Sequence, residues 1–214
     1  MCLGMLKGRY DVTKEDIGTD ARMKAKGMAF TTESYGVGGF AHLCIVRMKG
    51  FFGLMKMETV VFTVTGKDMP LINLDWVSAF GRETMMIEMY DGQLSPYPDE
   101  NLKAFAELKA RDADIADGAS SAHWYDSITY PCSYHKKDKK KSDRFNAAAH
   151  DYFAAFLDQA EQLPACDPEE KAGKAKAFAE RLLAEGGPAV DQVKKLFGED
   201  FAKRLVLNHM YGVR

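Results

Sequence analysis

The chain lacks the cysteine spacing of a metal or disulfide protein. Its four cysteines in 214 residues, Cys2, Cys44, Cys132 and Cys166, are scattered, with no CxxC pair and no Cys/His ligand spacing. Neither a structural zinc site nor a disulfide framework is expected, and no metal is assigned. Long apolar runs are absent too: no stretch approaches the ~20 uncharged apolar residues of a membrane span, so no membrane partner is expected. The opening residues, MCLGMLKGRYDVTKED, lack the sustained apolar core of a signal peptide, and a reduced, cytoplasmic protein is expected. No excess of positive charge draws the chain to nucleic acid, the net charge being −2 and the pI near 6.2. The glycines at Gly36, Gly38 and Gly39 form neither GxGxxG nor GxxxxGK[ST] and suit a turn better than a phosphate cradle. Without internal repeat or long linker, residues 1–214 are expected to form one domain.

What is present is an ordinary globular composition, 46% hydrophobic and 28% charged. Residues 53–94 carry the clearest pattern. Met57–Thr65 is a β-branched and aromatic run, Pro70–Trp76 a second apolar run and Thr84–Tyr90 a third. Gly66-Lys67-Asp68, Phe80-Gly81 and Asp91-Gly92 punctuate them. Connections too short for a crossover helix predict a meander of antiparallel strands. A further strand, Phe40–Met48, precedes them after the glycine turn. Into this sheet the sequence sets Glu58, Asp75 and Glu88 among Met, Val, Leu and Trp. A carboxylate facing inward there is costly to ionise, so its pKa rises, the usual preparation for a proton donor; at a strand end or on a wet face it stays ordinary.

Before this region, residues 1–28 are mixed and charged, with Thr13 or Asp20 able to start short helices. After it, Asp99–Arg111 predicts a helix with Ala104, Phe105 and Leu108 inward, and Asp112–Ser121 a loop. His123–Tyr134 is aromatic and β-prone, broken by Pro131, and predicts an edge strand. His135–Arg144 packs five lysines and an arginine into ten residues, a solvated loop or a surface for an acidic partner. Beyond it the chain turns helical. Ser142 can cap a helix with Phe145, Ala149, Tyr152, Phe153 and Phe156 as its stripe. Asp167-Pro168 starts a second that ends at Gly186-Gly187. A third runs from Pro188 to Gly198, and a fourth is predicted over Glu199–Tyr211. Strands first and helices after predict an α+β domain.

Four segments resemble the ferredoxin-dependent bilin reductases and red chlorophyll catabolite reductase. They are the strand Phe40–Val46; Met57–Asp75, whose Pro70-Leu-Ile-Asn-Leu-Asp75 leads to an aspartate; Trp124–Cys132 (WYDSITYPC); and Val193–Tyr211, with its Phe-Gly-Glu-Asp-aromatic core. The likeness spans residues 30–211 in patches. It implies a three-layer α/β/α sandwich with a central mainly antiparallel sheet and C-terminal helices. It also implies a linear tetrapyrrole held between sheet and C-terminal helices and reduced by single electrons from ferredoxin. No cofactor is tightly bound in such enzymes, and acidic side chains supply the protons. Asp75 stands at the position of the family's proton-donating aspartate. The histidine facing it in some members is Glu58 here, a strand acid of one subgroup is Val46, and the acidic or amide and basic residues of the loop before the last helices fall near Gly186 and Pro188.

On this resemblance Asp75 is expected to donate the proton, with Glu58 as its partner, two close carboxyls in an apolar pocket being unable to ionise together. Asn73, Arg47, His42 and Trp124 are assigned to the substrate, Arg47 and His42 for its propionates. Surface placement of Arg47 and His42, and core packing of Trp124, remain open. Lys136, Lys137, Lys139 and Lys140 are assigned to docking an acidic electron donor, ferredoxin or flavodoxin. A non-catalytic tetrapyrrole carrier or sensor is the alternative. A third reading is an assembly protein whose own side chains fill the pocket, with Met55, Met57, Met85, Met86 and Met89 as adaptable packing.

Overall fold

The computed structural model describes residues 1–118, 122–139 and 141–213. Among these residues eight antiparallel strands form one sheet: β1 (Val12–Lys14), β2 (Arg22–Ala25), β3 (Met28–Val37), β4 (Ala41–Gly50), β5 (Met55–Val64), β6 (Leu71–Ala79), β7 (Arg82–Tyr90) and β8 (Tyr134–Asp138). From β3 to β8 they pair in chain order, while β1 and β2 share the outer edge of β3. The Phe80-Gly81 turn joins Ala79 to Arg82 and so fixes the register of β6 on β7.

Among the described residues six α-helices cover the two faces: α1 (Cys2–Lys7), α2 (Asp99–Ala110), α3 (Ser142–Gln162), α4 (Pro168–Glu185), α5 (Pro188–Phe197) and α6 (Glu199–Arg204). The result is a three-layer α/β/α sandwich. On one face Leu43, Ile45, Val60, Phe62, Ile72, Leu74, Met85 and Ile87 pack with Phe145, Tyr152, Phe153 and Phe156 of α3. Phe62 sits edge-on between Phe153 and Phe156, at ring distances of 5.4 and 6.0 Å. On the other face Cys44, Val46, Val61, Leu71 and Tyr90 pack with Phe178 and Leu182 of α4, with Phe201 and with Tyr211. These are the α3 face and the α4 face. Alternation along each strand sends successive side chains to opposite ones.

Helix starts follow local chemistry. Asp167 accepts from the amides of Glu169 and Glu170, and Pro168 opens α4 without an N–H to satisfy. The region 1–28 departs from the sequence expectation: Asp20 lies in a short 3₁₀ turn (Gly18–Ala21), whereas Thr13 belongs to β1. A second departure concerns the edge strand. Trp124–Ile128 forms a 3₁₀ turn, and the strand is Tyr134–Asp138, inside the lysine run. Its outer edge is partly covered by residues 116–118, with Gly118 N–H donating to the His135 carbonyl and Lys137 N–H to the Ala116 carbonyl. A third lies at the C-terminus, where the helix expected through Tyr211 leaves α-geometry after Arg204 and widens into a π-helical turn over Leu205–Met210. The last turn of such a widened helix redirects the side chain that follows it, here Tyr211.

Candidate active site

The α4 face carries the chemistry. Along β6 it receives Leu71, Asn73 and Asp75; Thr59 lies opposite Asp75 on β5, and Glu88 lies opposite Asn73 on β7. Asp75 pairs with Met86, so Asp75 and Glu88 are diagonal neighbours on one face, ~7–8 Å apart by sheet geometry. Burial pushes the Asp75 carboxyl up to about 7; the Thr59 hydroxyl that donates to it opposes the rise, and the Glu88 charge adds to it. Burial also raises Glu88, against the hydroxyl of Tyr90, which donates to it at 2.7 Å, and the charge of His123. Asp75 therefore holds a substantial fraction of its protons at neutral pH.

Three tyrosines surround the acids. The rings of Tyr90 and Tyr125 lie 5.7 Å apart, and Tyr211 stands 5.5 Å from Phe178, which itself meets Tyr90 at 4.8 Å. Burial raises the pKa of each tyrosine, and the charges of Asp75 and Glu88 raise all of them further. Asn73 donates its amide to the Tyr211 hydroxyl at 3.1 Å, while its Oδ1 is buried without a partner among the described residues. An acceptor in that state is a place for a ligand N–H. Beyond Asp75, the same face runs out through the half-buried Met57, Val77, Thr84 and Met86.

Glu58 does not join this site. It pairs with Trp76 and Arg47 in the register and so points to the α3 face, opposite to Asp75. There it accepts from Arg47 Nε at 2.7 Å, and Arg47 also donates to Glu33 at 2.6 Å. Arg47 is thus engaged on the far side of the sheet from Asp75. His42 is on the α4 face but bonds through Nε2 to the carbonyl of His209 at 2.7 Å, tying β4 to the π-helical turn. Trp124 donates its indole N–H to the Gly186 carbonyl at 3.0 Å and lies between Phe178 and the Arg181 guanidinium. It lines, with His123, Gly186, Pro188 and Asp191, a surface hollow of about 240 Å³ that Asp75 does not reach.

A comparison with solved structures settles the architecture. The tomato phytochromobilin synthase, solved in complex with biliverdin, superposes with a TM-score of 0.78 at 13% identity, over 99% of this chain and 80% of that one. The fold is that of phytochromobilin synthase. No family model and no curated protein matches the chain.

Phytochromobilin synthase thus shares the overall fold of this chain, whose lysine run lies on and after β8. Lys137 and Lys139 are exposed on and beside β8, whereas Lys136 is buried, donating to the Ile115 carbonyl at 3.0 Å and paired with Asp117 at 2.8 Å. Lys136 is therefore a structural cation of the α3 face and not a docking residue. Lys140 lies outside the described residues. The residues that sequence reasoning left unassigned are Glu88, Thr59, Tyr90 and Tyr211. Glu88 had a readable signal, because a two-residue turn at Phe80-Gly81 puts it directly across from Asn73. No helix among the described residues is long and apolar enough to cross a membrane. None of their His, Cys, Asp and Glu clusters is arranged to hold a metal.

Proposed function

We propose that this protein binds a linear tetrapyrrole, or a similar flat conjugated molecule, against the α4 face. It reduces that ligand with electrons from an external ferredoxin or flavodoxin, and Asp75 supplies a proton. The observation that carries this reading is an aspartyl carboxyl raised to about 7 on one face of a fold shared with a biliverdin-bound enzyme. A carboxylic acid poised near neutral pH can donate in one step and regain its proton from water in the next.

A two-electron reduction consumes two electrons and two protons. The donor protein supplies the electrons one at a time and is itself oxidised. Asp75 passes the first proton to the reduced ligand and becomes a carboxylate. Glu88, hydrogen-bonded to the Tyr90 hydroxyl, is the second acid on this face and takes the partner role assigned to Glu58 from the sequence. The unpartnered Asn73 Oδ1 is the acceptor for a pyrrole N–H. Lys137 and Lys139 offer the exposed charge for an acidic donor.

The carrier reading keeps the pocket without the chemistry, since a fold shared with a biliverdin-bound protein supports binding alone as well as binding with turnover. An absorbance titration with biliverdin, followed by anaerobic reduced ferredoxin, separates the two. A saturable shift that then evolves supports the reductase, with Asp75→Asn binding the pigment and stalling after the first electron. A shift without turnover favours the carrier. No shift sinks the tetrapyrrole assignment for that ligand.

A further inference from the structure

Three hairpin tips meet at the end of the sheet where β6 gives way to β7: Ala25–Met28, Phe51–Leu54 and Phe80-Gly81. The second and third present large apolar side chains to solvent. Phe51, Leu54 and Phe80 are 54%, 59% and 69% exposed and Phe52 is fully so, with the Phe51 and Phe80 rings 6.2 Å apart. The backbone makes this arrangement costly. Phe51, Phe52 and Phe80 have φ of 49°, 55° and 50°, in the left-handed region that asparagine and glycine occupy with least strain. At Phe80-Gly81 both φ values are positive, the turn for which Asn-Gly is the favoured pair. An aromatic ring kept in such a place, pointing at water, has a use there.

Behind the tips joining β2 to β3 and β4 to β5 lysines stand together, while the same rung ends in Glu83 and Asp138 on β7 and β8. Lys24, Lys49 and Lys56 occupy one rung across β2, β4 and β5, with Ala29 between the first two, all on the α3 face. Lys49 stands directly opposite Lys56, a like-charge pair that an anionic surface would relieve. Lys26 and Arg82 lie at the neighbouring tips, and all five cations are exposed. Net charge over the chain is −2, so this basic end is a local concentration.

We propose that this end of the sheet docks on an anionic lipid surface, Phe51, Phe52, Leu54 and Phe80 entering the interfacial layer while the lysines meet the headgroups. Side chains projecting from separate tips, with cations set behind them, match a layered partner, apolar beneath and negative at its surface. Such contact needs no spanning helix. The site is separate from Asp75, so this proposal stands or falls apart from the reductase reading.

The test is sedimentation of the full chain with vesicles of phosphatidylcholine alone or mixed with phosphatidylserine. Binding is expected to the mixed vesicles, weakened by salt, and not to the neutral ones. The double variant Phe52→Asn/Phe80→Asn suits the left-handed backbone and is expected to melt no lower than the parent while losing the binding. Lys56→Glu turns a like-charge pair into an attractive one and is expected to lower binding roughly tenfold. Failure to bind the mixed vesicles overturns the proposal, as does binding that both variants retain. A dimer without vesicle binding, abolished by Phe52→Asn/Phe80→Asn, overturns it in favour of a second copy. Capture of an acidic protein through Lys49 and Lys56 without vesicle binding overturns it likewise.

Discussion

Glu58 and Asp75 stand on adjacent strands one register position apart, and the sheet separates their carboxyls. Glu58 lies opposite Trp76 and Asp75 opposite Thr59, so one carboxyl faces α3 and the other α4. The two acids therefore experience different surroundings, a half-exposed ion pair with Arg47 on one side and an aromatic layer on the other.

Asp75 makes stability fall with rising pH. Its native pKa is about 7 against an ordinary 3.8, so between these values the unfolded chain gives up a proton that the native state keeps. The penalty is absent below pH 3.8, grows through the window and is complete above pH 7. At ~1.4 kcal/mol per pKa unit, lessened by the part-exposed setting of the carboxyl, it reaches roughly 3 kcal/mol. Asp75→Asn, which can still accept from Thr59, is expected to exceed the parent in urea stability by about that amount at alkaline pH and to match it in acid. Equal stabilities in alkali would show an ordinarily ionised carboxyl.

Glu88 and Glu58 are expected to act differently on Asp75. Glu88→Gln removes a charge that raises the Asp75 pKa, so the carboxyl titrates at lower pH, as followed by carboxyl NMR shifts. Glu58→Gln leaves that titration where it is and costs only the ~0–1 kcal/mol of a half-exposed ion pair. A reversed pattern would place Glu58 on the α4 face.

Lys171 is a buried cation with a measurable cost. Its ammonium donates to the Gly92 carbonyl at 2.5 Å, and burial lowers its pKa from 10.5 to about 8. Below pH 8 the native state carries the whole penalty, which lifts as pH rises from 8 to 10.5, where the unfolded chain still holds the proton. Parent stability rises through that window from this group; Lys171→Met should flatten the rise. At neutral pH the gain of ~3 kcal/mol is offset by the ~1–3 kcal/mol of an unpaired carbonyl, so the net change is small and not negative.

Phe62 anchors β5 to α3. Phe62→Ala is expected to lose ~3–5 kcal/mol in urea unfolding, because its site between Phe153 and Phe156 cannot collapse fully. A loss under ~1 kcal/mol would show that the two α3 rings close the gap.

Legible in the amino-acid order were the strands β4 to β7, the starts of α3, α4 and α5, and the presence of an aspartate in an apolar strand. Local chemistry suffices for these: β-branched runs between glycine turns, Asp167-Pro168 as a cap, and glycines at helix ends. It also held the register of β6 on β7, since a two-residue turn leaves only one pairing, which sets Glu88 beside Asn73. The register of β5 on β6 was not legible. Residues 65–70 link them by a connection too long to fix the pairing, and a slip of one residue exchanges the faces of every side chain. Only the tertiary structure could therefore part Glu58 from Asp75. It alone buried Lys136 beneath Ile115 and turned Tyr211 onto Asn73 through the widened last helix, because these contacts join residues 21 and 138 positions apart. Composition and spacing say which side chains are costly to bury; packing across the sheet decides which of them are.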